Sequence, residues 1–122
     1  GVTIEFGTMV HKIHRGAALA RGFAIGSHNY SAIGYPGDLR NCSACHVSGS
    51  EQLPLTKGQI AVKHPADLIP NPGRVTAVCT SCHDSTAADA HANLMTYSGV
   101  ESCDVCHGSD KEFSVERVHA SE

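Results

Sequence analysis

One pentapeptide pattern accounts for every cysteine in the chain. Cys42-Ser43-Ala44-Cys45-His46, Cys79-Thr80-Ser81-Cys82-His83 and Cys103-Asp104-Val105-Cys106-His107 use all six cysteines and leave none over. This C-x-x-C-H spacing is the signature of c-type haem attachment. The two thiols add across the vinyl groups of one porphyrin, and the adjoining imidazole lies under the ring as the proximal iron ligand. Cysteine pairs at this spacing also build zinc ribbons, disulfide frameworks or thioredoxin-like redox pairs. None of these explains a histidine after every second cysteine. With nine histidines in 122 residues, chance would place one after all three pairs roughly 4 times in 10,000. The expected cofactor is therefore haem c, three per chain and covalent, held by Cys42, Cys45, Cys79, Cys82, Cys103 and Cys106, with His46, His83 and His107 on the irons.

Composition points the same way. Aromatic residues make up 5% of the chain, tryptophan is missing, and glycine and proline number 12 and 5. A chain of this length with so few large apolar side chains needs disulfides, metals or a bulky cofactor to stabilise it. The expected architecture is a single trihaem cytochrome c domain over residues 1–122, mostly irregular with short α-helices and little β, wrapped around a stacked haem chain. So thin a wrapping brings haems into contact and leaves their edges exposed. A net charge of −3 offers no basic surplus for a phosphate backbone, so nucleic acid is not an expected partner. No run approaches the ~18–20 apolar residues of a membrane span.

Local patterns place the remaining chemistry. Thr8 is a candidate N-cap for a helix from Met9 towards Arg15, and Phe6, Met9, Val10, Ile13 and Ala17 follow the spacing of a buried helical stripe. His11 and His14 project about 60° apart on that helix, so one short helix can offer ligands to two neighbouring haems. Glycines make residues 20–41 mostly loop, with Tyr35-Pro36-Gly37-Asp38 reading as a type II turn. Leu53–Thr56 and Gln59–Lys63 form a candidate hairpin, its first strand confined to an edge by Pro54. Asn71–Arg74 reads as a second type II turn, followed by a helical turn over Thr76–His83. Ser85 or Thr86 caps a helix over Ala87–Met95 that carries His91, Gly99 interrupts the pattern, and a short segment from Ser114 to Ala120 presents His119. Asp84, Asp89, Glu101, Asp104 and Asp110 read as solvated charges near haem propionates and helix starts.

Outside the motifs stand His11, His14, His28, His64, His91 and His119. Three irons capped on both faces need three of them. Met9 and Met95 are the alternative axial ligands, outweighed by so many imidazoles.

Thr8-Met9-Val10-His11-Lys12-Ile13-His14-Arg15-Gly16, Tyr35-Pro36-Gly37-Asp38-Leu39-Arg40-Asn41, Gly99-Val100-Glu101-Ser102 and the ending Phe113-Ser114-Val115-Glu116-Arg117-Val118-His119 together resemble the outer-membrane decahaem cytochromes of metal-reducing bacteria, the OmcA/MtrC-like family. In that family similar segments form the second part of a five-haem module with two further attachment motifs upstream, so the likeness covers a trihaem remainder. The His-x-x-His segment is also similar to that of small trihaem cytochromes, where both histidines serve as distal ligands. The resemblance implies His11, His14, His91 and His119 as the four distal candidates for three irons, with His28 and His64 behind them. A spare ligand that caps a haem in the next subunit would splice copies into a haem filament.

The function expected is electron transfer through bis-His haems, whose closed faces and low potential suit anaerobic respiration. The rivals are a multihaem reductase with one open iron and a terminal metal-oxide reductase at the cell surface. Expected partners are other multihaem cytochromes, copies of the same chain, or an extracellular metal oxide. Covalent haem attachment, as the family implies, sets an extracellular or cell-surface address, otherwise a periplasmic one, in a bacterium. Gly1, without a methionine or apolar leader, fits a processed N-terminus or an excised domain.

Overall fold

Ten residues at the start of the described chain wind into α1, Phe6–Arg15, the longest helix among the described residues. The computed structural model describes residues 6–47, 49–54, 73–97 and 100–120. Thr8 does not cap α1; it lies inside the helix and is fully buried. The apolar stripe faces inward only in part, with Met9, Val10 and Ile13 half-buried. Phe6 is 74% exposed and Ala17 is exposed, whereas Lys12, one turn from Thr8, is 3% exposed. The polar face turns in because acidic side chains from the second half of the chain wait beneath it. Gly16 ends the helix with φ +38°, a conformation that costs glycine little. Ala17 N–H then donates to Ile33 O at 2.9 Å.

A short 3-10 turn, Gly16–Ala18, leads into residues read as loop. They contain a small hairpin, β1 (Ala24–Ile25) antiparallel to β2 (His28–Asn29). Gly26-Ser27 joins the strands, and Gly26 takes φ +57°, as the first position of a type II′ turn requires. Tyr30 stacks on the buried Phe23 at 5.8 Å between ring centroids. The turn before the first motif lies later than the Pro-Gly pair suggests. Gly37 does not adopt positive φ, and the hydrogen-bonded turn runs from Asp38 to Asn41 (3.0 Å). Asp38 sets it by accepting from the Arg40 amide at 2.9 Å, an Asx interaction.

Helix α2, Arg74–Cys79, runs directly into the second motif. Ser85 caps α3, Thr86–Leu94, by accepting from Ala88 N–H at 3.2 Å, as its sequence predicts. Strands β3 (Thr96–Tyr97) and β4 (Val100–Glu101) pair antiparallel ahead of α4, Asp104–His107. Ser114 caps α5, Val115–Val118, accepting from Arg117 N–H. The architecture is five short helices and two two-stranded ladders among the described residues, so the mostly irregular, weakly β character expected is observed. The hairpin expected at residues 53–63 and the turn at 71–74 fall largely outside the described residues. Leu53 itself bridges Gly108 instead, and Ser109 N–H donates to its carbonyl at 2.9 Å. Among the described residues no helix is long and apolar enough to cross a membrane.

Among the described residues the interior is small and mostly polar. Leu19, Phe23, Leu53 and Ala77 are its buried apolar residues, set against buried Thr8, Lys12, Thr76, Thr80, Ser81, Asp84, Asp89 and Ser114. Thr80 and Ser81 satisfy their hydroxyls on the carbonyls of Thr76 and Ala77, at 2.6 and 2.7 Å.

Candidate functional site

Each C-x-x-C-H segment is folded as one helical turn closed by the same bond. The histidine amide donates to the carbonyl of the first cysteine in all three: His46 to Cys42 at 2.8 Å, His83 to Cys79 at 2.9 Å, His107 to Cys103 at 2.8 Å. A turn of this kind brings residues i, i+3 and i+4 to one side, so both thiols and the imidazole share a face. All six thiols are free. Burial pushes the Cys42, Cys82 and Cys103 thiols up, the opposite of what a redox dithiol needs.

Opposite each motif histidine stands a second ring from a distant element. His11 of α1 faces His46 with centroids 6.1 Å apart and planes at 18°. His119, just past α5, faces His83 at 6.0 Å and 46°. His91 of α3 meets His107 at 6.4 Å and 87°. Several rings are already held in one tautomer. A carbonyl oxygen can only accept, so Nδ1 carries the proton where it bonds Gly7 O (His11, 2.6 Å), Phe113 O (His107, 2.7 Å) and Val115 O (His119, 2.8 Å). Nε2 is then left as a donor to metal, the arrangement that metal-ligating histidines show. Burial, with the charges of His119 and Arg15 adding, pushes the His83 imidazole down and keeps it in the neutral form that ligation requires.

His14 enters none of these pairs. It is exposed on α1, its Nδ1 bonds Val10 O at 2.8 Å, and its ring meets the edge of Tyr35 at 5.7 Å. The two histidines of the His-x-x-His segment therefore part company. His28, exposed on β2, enters no pair either, and His64 lies outside the described residues.

Charged side chains tie the sites together; Asp104 and Asp110 are exposed as expected, but the solvated reading of Asp84 and Asp89 is corrected. Asp84, next to His83, is 5% exposed and accepts from the amides of Ala20 (2.8 Å) and Arg21 (2.7 Å). Asp89 is 8% exposed and pairs with Arg21 at 2.7 Å. Lys12 lies over the Phe23 ring at 5.9 Å, close enough for a cation–π contact. Burial pushes its ammonium down against the pull of Asp84. Burial acts to raise the Asp84 carboxyl, but the Arg21 and Ala20 amides and Lys12 outweigh it and hold it below the usual range. Glu101 does mark a helix start: it accepts from Val75 N–H (3.2 Å), Thr76 N–H (2.6 Å) and the Thr76 hydroxyl (2.7 Å) at the head of α2. Lys12, Arg15 and Glu51 are absent from the sequence-derived site. Their signal is an ionisable side chain within a turn or so of a ligand segment.

The fit to haem rests on the donor set. Only two rings meet at each place, and no group of three or more His, Cys, Asp or Glu converges among the described residues. Zinc needs three or four protein donors, whereas a porphyrin brings four nitrogens of its own. Beside the first motif an open cavity of about 830 Å³, lined among others by Cys45, His46, Glu51, Gln52 and Glu116, has the size of a cofactor pocket. Paired thiols beside paired imidazoles define a multihaem c-type cytochrome. The particular family follows from comparison: the family model described as outer membrane cytochrome MtrC/MtrF-like, domains II/IV, matches residues 1–120, and the chain belongs to that family. No curated protein and no solved structure matches the chain. Membership makes it a multihaem cytochrome of extracellular electron transfer, an electron carrier with c-type haem, working with other cytochromes at or beyond the bacterial cell surface.

Proposed function

We propose that the domain carries three covalent haems, each capped by two imidazoles, and serves as a conduit that passes electrons along them. His46 with His11, His83 with His119, and His107 with His91 would hold the three irons. One observation carries this reading: every motif histidine faces one non-motif ring at 6.0–6.4 Å between centroids. Two metal–imidazole bonds of about 2.0–2.1 Å, with ~1.1 Å from nitrogen to ring centre on each side, span ~6.3 Å. When bound, haem iron supplies reversible one-electron chemistry. The chain tethers the porphyrins through Cys42, Cys45, Cys79, Cys82, Cys103 and Cys106, and closes both faces with imidazole. Two imidazoles set a lower potential than a His/Met pair. A reductase with an open iron would need a motif histidine with nothing opposite, and each has a partner ring.

His14 is the spare ligand. Its exposure and its proton-bearing Nδ1 favour a role outward, towards a haem of a neighbouring module or copy, as in a haem filament. Delivery to a metal oxide at the cell surface would be outer-sphere transfer through an exposed haem edge, which differs in partner and not in chemistry.

The test is an optical spectrum of the purified protein with and without carbon monoxide, together with a count of haems per chain. Three low-spin haems indifferent to carbon monoxide are expected. His11→Ala, His91→Ala and His119→Ala should each open about one third of the haem to carbon monoxide, and His14→Ala none. A carbon monoxide-binding fraction in the unaltered protein would overturn the closed-face reading. For the filament, micrographs of concentrated protein that show only isolated particles would overturn it.

A further inference from the structure

The first and second motifs differ in the sign of the half-buried charged side chain beside them. At the first, Glu51 Oε2 is shielded from solvent and meets no hydrogen-bond partner among the described residues, and Glu51 lines the same cavity as Cys45 and His46. At the second, Arg15 Nε is shielded and unpartnered in the same way. Arg15 lies one turn beyond His11 on α1, and the carbonyl of His11 contacts Cys82 Sγ at 4.0 Å. Its charge acts on both Cys82 and His83, just as the charge of Glu51 acts on Cys42. The ordinary partners of such groups would cancel much of their fields. Both side chains are half-buried with their inner atom unpartnered, so their fields act at short range, where salt screens less than it does between fully exposed charges.

A ferric haem carries one more positive charge than a ferrous one. A carboxylate close to the iron therefore favours the oxidised form and a guanidinium close to it the reduced form. We propose that Glu51 and Arg15 set an electrostatic step between adjacent haems, lowering the potential at the His46 site and raising it at the His83 site, so that electrons collect at the second haem before moving on. The inference rests on the three-haem reading. Neither residue is a ligand; both act through the field at the iron.

The experiment is a spectroelectrochemical titration of the haem-loaded protein and of Glu51→Gln, Arg15→Gln and Arg15→Lys, each first counted for haem and checked for low-spin spectra. Glu51→Gln should move one step of the titration upward. Arg15→Gln should move a different step downward, and Arg15→Lys should leave that step in place. In the unaltered protein the step lowered by Arg15→Gln must lie above the step raised by Glu51→Gln. Three intact haems with unmoved steps, with both substitutions acting on one step, or with the opposite order would overturn the inference alone. Fewer than three low-spin haems in the unaltered protein would overturn the underlying reading and the inference with it.

Discussion

At the scale of single residues, the two ring planes at each candidate iron carry a spectroscopic consequence. Parallel axial imidazoles split the two iron orbitals that point between them and the porphyrin; perpendicular imidazoles leave those orbitals nearly equal in energy. His11 and His46 lie at 18°, and His91 and His107 at 87°. Electron paramagnetic resonance of the oxidised protein should therefore show an ordinary rhombic signal, lost in His11→Ala, and a large-g signal, lost in His91→Ala. Asp84 has an equally local role, in stability. Its carboxylate holds two backbone amides and faces Lys12, so Asp84→Ala leaves a buried cation and two donors unmatched. A loss of about 3–5 kcal/mol is expected, read from denaturant melts of the haem-loaded protein. The pH dependence follows from the lowered carboxyl. Its contribution is full above the unfolded value of about 3.9 and is lost as pH falls through the lower folded value. In Asp84→Ala that part of the acid transition should vanish.

Between elements, Glu101 does more than its place in a two-residue strand suggests. It sits two residues before Cys103 and caps α2, the helix that delivers Cys79, so the second and third motifs are fixed to one another through one carboxylate. Gly73 makes the approach feasible, because a Cβ there would overlap the Glu101 carboxylate. Gly73→Ala should cost about 1–3 kcal/mol by overpacking, measured in the same melts, and Glu101→Ala about 0.5–2 kcal/mol as a lost cap. Helix existence was legible from local signals at two places, where Ser85 and the periodic segment around His11 and His14 mark helices that form. The sequence reads α5 and its Ser114 cap only as a short segment. What local signals could not supply was which face turns inward. Periodicity placed Phe6, Met9 and Ile13 against the core, yet α1 buries Thr8 and Lys12, because the acidic residues that receive Lys12 come from far along the chain. The same limit applied to the histidines. The motifs announced three candidate proximal ligands, but placing His11 opposite His46 and leaving His14 outside depends on where α1 docks, and no spacing encodes that.

For the molecule as a whole, the small apolar interior decides what holds the fold together. Leu19, Phe23, Leu53 and Ala77 are the buried apolar residues among those described, and each large side chain contributes about 1.5–3 kcal/mol when fully buried. Ordering a residue costs about 1–2 kcal/mol in backbone entropy alone, so three such side chains and an alanine do not by themselves stabilise the described segments. Meanwhile Phe6, Val47, Leu94, Tyr97, Val100 and Val105 are two-thirds or more exposed, and Val105 lies between two attachment cysteines. Large planar cofactors tethered at those cysteines would cover apolar surface of this kind and bring together segments that otherwise share few contacts. Haem attachment and folding should thus be one event, as metal binding and folding are in small metal-dependent domains. A chain with all six cysteines changed to alanine should lack a cooperative thermal transition and bind hydrophobic dyes. The haem-loaded protein should melt sharply and resist protease. Removing one pair, Cys79 with Cys82, should be worse than removing Cys42 with Cys45, because the second motif anchors α1 and α2 together with the Asp84 cluster. A cysteine-free chain that melts cooperatively would show that the polar interior suffices, and the haems would then be passengers on the fold instead of its centre.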